Sequence, residues 1–145
     1  MGKTSLRLAI AGTAVAAATS AVLPAQSALA ATPAPDTTRE SVVAAPYAVG
    51  AAMSITPASN RIAASGTIRD NTSGNDFVAV QTFIQRLDAR GWVTVVTGAR
   101  RTGVNTATSS IGWRSCTNGR VYRVKVNWNW NNTARSSLYT AARTC

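Results

Sequence analysis

Residues 121–130 read VYRVKVNWNW and hold two cations, Arg123 and Lys125, with three aromatic residues, Tyr122, Trp128 and Trp130. Cations beside flat rings can grip an anionic or planar ligand. Whether these do depends on which way each side chain faces. Successive side chains of a strand point to opposite faces. Tyr122, Val124, Val126, Trp128 and Trp130 therefore share one side, and Arg123, Lys125, Asn127 and Asn129 the other. A stacking platform for single-stranded nucleic acid needs rings and cations on one accessible surface. The alternation within this strand separates them, so no specific nucleic-acid partner is expected. The apolar side should face a core and the cationic side water, with Trp130, next to a turn, at the rim.

Other chemistry is narrowed by what the chain lacks. It contains no His, which removes the usual general base, the Ser-His-Asp and Cys-His nucleophile systems and the common zinc and copper sites. A Ser-Lys dyad would need Lys125, the one Lys beyond the first thirty residues, and its outward position keeps the amine in water. Paired carboxylates for glycosidic cleavage could come only from Asp70, Asp76 and Asp88. Asp70 and Asp76 flank the segment DNTSGND, where Asx turns account for the composition and the alternate positions Thr72 and Gly74 make a poor calcium loop. No catalytic residue, metal or cofactor is expected.

Charge is the stronger signal. After Asp88 no acidic residue occurs, while nine Arg or Lys follow, from Arg90 to Arg143. This half of the chain carries a positive field. Arg outnumbers Lys, which suits forked contacts with phosphate or carboxylate. Arg100, Arg101, Arg120 and Arg123 are the candidate anion-binding set, and an anionic envelope polymer such as teichoic acid is the kind of partner that would match it. Trp113 and Arg114, just before Cys116, form the alternative site, an anchor for an extracellular hydrolase, because Trp and Arg dominate interface hot spots.

The elements that must position these residues are strands. Apolar residues recur at period two: Val49, Ala51, Met53 and Ile55; then Ile62, Ala64, Gly66 and Ile68; then a longer run from Phe77 to Leu87. Ala89-Arg90-Gly91 reads as a three-residue hairpin into Trp92 and VTVVTG, with Gly91 supplying a left-handed position. Residues 103–113 form a fifth strand and 121–130 a sixth. Residues 137–143 close the fold. About seven short antiparallel strands with a turn every 8 to 12 residues predict an immunoglobulin-like β-sandwich, with a small closed barrel as the other architecture.

The first thirty residues stand apart. Lys3 and Arg7, the uncharged Ala-rich run from Leu8 to Leu23 and the small residues of Ala28-Leu29-Ala30 have the layout of a signal peptide cleaved before Ala31. No later segment can span a bilayer. Export leaves 115 residues, enough for one domain. Without Lys3 and Arg7, 13 basic residues face 5 acidic ones, a net charge of +8. Residues 31–46, with three prolines, read as a flexible lead-in to a domain spanning 47–145. Cys116 and Cys145, the two cysteines of an exported chain, are expected to pair.

The signal peptide, the stretch VQTFIQRLDARGWVTVVTG, the block CTNGRVYRVKV and a last strand ending at Cys145 together resemble the small secreted β-sandwich proteins of streptomycetes and related actinomycetes. That resemblance spans about residues 60–145 and implies fold and location; most members of the group have no assigned activity. A lesser similarity is to streptomycete α-amylase inhibitors, which bind through a Trp-Arg-Tyr triplet. Here Trp113-Arg114 is followed by Ser115, and the second disulfide of that family cannot form.

Overall fold

The computed structural model describes residues 34–44, 46–132 and 134–145; the expected signal segment and its cleavage point lie outside them. Ten strands occur among the described residues: β1 (Asp36–Ala44), β2 (Tyr47–Thr56), β3 (Arg61–Asp70), β4 (Phe77–Asp88), β5 (Gly91–Thr97), β6 (Arg101–Val104), β7 (Thr106–Ser115), β8 (Val121–Trp130), β9 (Ala134–Tyr139) and β10 (Arg143–Thr144). No helix among these residues is long and apolar enough to cross a membrane.

The strands form two antiparallel sheets, as the sandwich reading required. One has the order β1-β2-β3-β7. In the other, β4 and β8 lie side by side at the centre. β5 and β6 pair in succession along the free side of β4, and β9 and β10 along the free side of β8. Period-two alternation turns Val49, Met53, Ile55, Ile62 and Ile68 of the first sheet toward Val78, Val80, Ile84, Val124 and Val126 of the second, and all are fully buried. At about 25 cal/mol per Å2 of apolar surface, each such side chain contributes roughly 1.5 to 3 kcal/mol of burial. The sheets approach closely where Gly66 faces Thr82 and Val126, leaving no room for a side chain.

The alternation of β8 holds as far as Val126; Asn129, expected to face water, is buried and accepts the Asn132 N–H at 2.8 Å. Tyr122, Val124 and Val126 are buried, and the Tyr122 hydroxyl accepts the Thr117 N–H at 2.9 Å. Trp128 and Trp130 are half-buried against the core. Tyr47 packs on both, with ring centroids 4.5 and 6.1 Å away. Cys116 and Cys145 form the disulfide, with Cα atoms 6.2 Å apart.

Four boundaries differ from the sequence reading. Residues 36–44, expected to be flexible, are a strand whose nine residues pair in register with β2. Pro35 and Pro46 flank this strand rather than interrupt it, and Thr37, Thr38, Val42 and Val43 favour extended backbone. Thr38 alone among its described side chains is buried, so no apolar period marks it. The Arg143 guanidinium holds it to the second sheet: Nε donates to Thr38 at 3.0 Å and Nη1 meets Asp36 at 3.3 Å. The fifth predicted strand breaks at Asn105, whose φ of 63° turns the chain from one sheet to the other. The last one divides into β9 and β10 around Thr140, which exchanges hydrogen bonds with the Val124 backbone. At the β4–β5 hairpin Gly91 does take positive φ, 110°, but it pairs with Asp88, so the loop is Ala89-Arg90 alone.

Candidate functional site

The face of β8 that carries Arg123 and Lys125 is the outer face of the second sheet, and its neighbours change its chemistry. Residues paired across strands share a face. Phe83 and Tyr139 lie opposite Lys125, Gln85 lies opposite Arg123, and Trp92 lies opposite Leu87. The strand order places Tyr139 on one side of Arg123 and Trp92 on the other. The Arg123 Cζ sits 4.2 Å from the Trp92 ring centroid and 4.3 Å from that of Tyr139. Its Nε donates to Gln85 Oε1 at 2.9 Å, and Gln85 Nε2 donates in turn to Thr94 Oγ1 at 3.3 Å. Lys125 Nζ lies 6.0 Å from the rings of both Phe83 and Tyr139. Rings and cations thus meet on one surface, although β8 by itself separates its own.

Beside this row the same face opens into a groove of about 420 Å3 whose lining includes Gln81, Arg100, Asn127, Trp128, Asn129 and Ser137. The connection between β5 and β6, residues 98–100, brings Arg100 here. Gly98 N donates to Thr82 O, and Gln81 Nε2 donates to Gly98 O, so the connecting segment is pinned against β4.

The predicted anion-binding set is only partly assembled. Arg100 and Arg123 lie on this face, joined by Lys125. Arg101 pairs with Val80, whose side chain faces inward, and so lies off this outer face. Arg120 lies at the end of the sheet near Asp88, whose carboxyl is held below its ordinary range chiefly by the Arg86 hydrogen bond and to a lesser degree by the Arg120 charge. Trp92 and Tyr139 were not legible as site residues, because their meeting with Arg123 depends on three registers among four strands. Trp113, 40% exposed, lies on the edge strand β7 where a bulge opposite Ala63 interrupts the pairing. Arg61 of β3, its Cζ 5.8 Å from the ring centroid, is the cation over it, and Arg114 beside it is exposed.

The three carboxylates of the predicted fold all have partners: Asp70 and Asp76 hold turns, and Asp88 pairs with an arginine of its own strand. Asp70 accepts the Thr72 N–H at 2.9 Å and lies 2.8 Å from the Thr72 hydroxyl, which is also 3.0 Å from Asp76. Asp76 accepts from Asn131 Nδ2, and its own N–H donates to Asn105 Oδ1. Asn105 and Asn131, both at positive φ, thereby stitch the β3–β4 loop to two other turns. Asp88 pairs with Arg86 at 2.8 Å. Among the described residues no group of three His, Cys, Asp or Glu could hold a metal ion.

Burial pushes the Asp70 carboxyl up, but hydrogen bonds from the Thr72 backbone and hydroxyl, with Trp130 and Asp76, outweigh it and hold the group below the ordinary 3.8. A depressed carboxyl stabilises the fold fully above its unfolded value, and that contribution is lost as pH falls through the folded value. Urea unfolding between about pH 5 and 2 should therefore show stability falling less steeply for Asp70→Asn than for the unaltered chain. Parallel curves would mean that Asp70 takes no part in acid unfolding.

Fold and site together define an all-β disulfide-bonded sandwich with a cation-aromatic outer face. No protein family, curated protein or solved structure was found to match the chain.

Proposed function

We propose that this chain is a secreted, non-enzymatic binding domain that takes an anionic cell-envelope polymer on the outer face of its second sheet. The observation that carries the reading is the gathering of Arg123, Lys125 and Arg100 on one face to which β4, β5 and β8 contribute no carboxylate. Two other arginines, Arg86 and Arg143, have acidic partners. The positive field of the C-terminal half would steer a polyanion toward this surface, and Arg suits forked contacts with phosphate or carboxylate. The signal-peptide layout of residues 1–30 supports export.

The test is co-sedimentation of the chain beginning at Ala31 with Gram-positive walls, intact and stripped of teichoic acid, across a salt series. Binding should require the polymer and weaken steeply with salt as the Debye length shrinks from about 30 Å at 0.01 M to about 8 Å at 0.15 M. Arg123→Ala should remove most of it, and Arg101→Ala or Arg120→Ala little. Salt-independent binding, or equal binding to stripped walls, would sink the reading.

A further inference from the structure

We propose, building on that reading of the outer face, that Arg123 is a fixed two-donor fork for a phosphodiester oxyanion and that the adjoining groove takes the polyol part of the same chain. The ligand is then a linear polyol-phosphate polymer laid along β8.

The Arg123 guanidinium is held in place from three sides. Trp92 and Tyr139 lie 4.2 and 4.3 Å from its Cζ, and Gln85 takes its Nε proton at 2.9 Å. The Thr94 hydroxyl orients Gln85 in turn. The rotamer freedom that an unrestrained Arg would lose on binding is already lost. With Nε engaged, the Nη groups remain as parallel donors, the geometry that matches two oxygens of one phosphate. The charge is half-buried between two rings, and its polar partner is the neutral Gln85 rather than a carboxylate. An oxyanion would complete it.

The groove adds a different chemistry. Asn127 Oδ1 accepts from Ser137 Oγ at 2.8 Å, which leaves its Nδ2 to donate. Gln81 Nε2 donates to Gly98 O at 3.1 Å, which leaves Oε1 to accept. Donors and acceptors gather around Ala79, and Trp128, the one aromatic residue of the lining, has its ring packed on Tyr47 against the core; such a lining suits hydroxyl groups rather than bases. Arg100 at its margin supplies a second phosphate contact. Residues 123 and 127 of one strand are about 13 Å apart at 3.3 Å per residue, room for more than one repeat of a short polyol phosphate. Single-stranded nucleic acid fits less well, because bases need open ring faces and Arg123 already covers a face of Trp92 and of Tyr139.

The experiment measures binding of a synthetic polyglycerol phosphate, an oligothymidylate of similar charge and polyglutamate at low salt, with the unaltered chain, Arg123→Lys and Asn127→Ala. Polyglycerol phosphate should bind best. Arg123→Lys keeps the charge but loses the fork, and should weaken that binding at least about tenfold; Asn127→Ala should weaken it by a smaller factor while leaving polyglutamate unaffected. Titration of the unaltered chain with inorganic phosphate should move the Arg123 Nε–Hε resonance, a readout that needs no variant to fold. Arg123→Lys within twofold of the unaltered chain, tighter binding of oligothymidylate, or an unmoved resonance would each overturn the inference. Wall binding that persists in those cases would leave the broader polyanion reading standing, whereas no wall binding removes that reading by itself.

Discussion

Replacing Cys116 and Cys145 together by Ser is expected to cost this domain about 3 to 4 kcal/mol, the chain-entropy value for a loop of about thirty residues. For a domain near 100 residues this corresponds to a fall of about 15 to 25 °C in melting temperature. The structure shows why the loss should concentrate at the C-terminus. β10 pairs with β8 through only two residues, Arg143 opposite Tyr122 and Thr144 opposite Val121. Cys145 is buried, its N–H donates to Arg120 O, and its carbonyl accepts from Gly119 N. Cys116 is likewise buried, and its N–H donates to Asn60 O. Without the covalent tie the short β10 pairing must be held by these few bonds, and its fraying would release Arg143 from Asp36 and Thr38 of β1. Hydrogen exchange should therefore accelerate at β10 and β1 before the core responds. A loss under about 1 kcal/mol would show that the end of the chain is fixed by packing instead.

Gly66→Ala should cost about 1 to 3 kcal/mol, the usual range for overpacking a filled core. A Cβ there would stand 2.7 Å from Thr82 Oγ1 and 2.7 Å from both Val126 methyl groups. Neither neighbour can yield cheaply. Thr82 Oγ1 donates to Ser109 O at 2.8 Å while its N–H donates to Ser109 Oγ at 3.2 Å, and Ser109 Oγ is held on Ala99 O. Val126 is completely buried. Val126→Ala alone opens a cavity and destabilises, but combined with Gly66→Ala it makes the space the new methyl needs. The two changes together should be less damaging than their sum, by an amount within the 0.5 to 3 kcal/mol typical of contacting residues. Strict additivity in urea unfolding would mean that the sheets separate elsewhere to admit the methyl group.

The sequence by itself determined the architecture where one residue's neighbours along the chain carry the information. Period-two burial in β2, β3 and β8 follows from strand geometry alone, and the alternation of Tyr122, Val124 and Val126 with Arg123 and Lys125 was readable without any partner strand. The pairing of Cys116 with Cys145 followed from there being two cysteines. β1 was not readable, because a strand at the sheet edge is held by backbone pairing to β2 and by Arg143 from the far end of the chain, and only Thr38 among its described side chains is buried. The break at Asn105 was hidden for a related reason: positive φ at an Asn is a local option that the crossing between sheets selects.

The outer face shows the same division most clearly. The chain fixes which side of β8 Arg123 occupies, but not what stands beside it. Trp92, Gln85 and Tyr139 come from three other strands, and a shift of one residue in any register would send their side chains to the opposite face. Only the tertiary structure, by setting β5, β4, β8 and β9 in that order and register, turns a cation separated from its own strand's rings into one held between the rings of its neighbours.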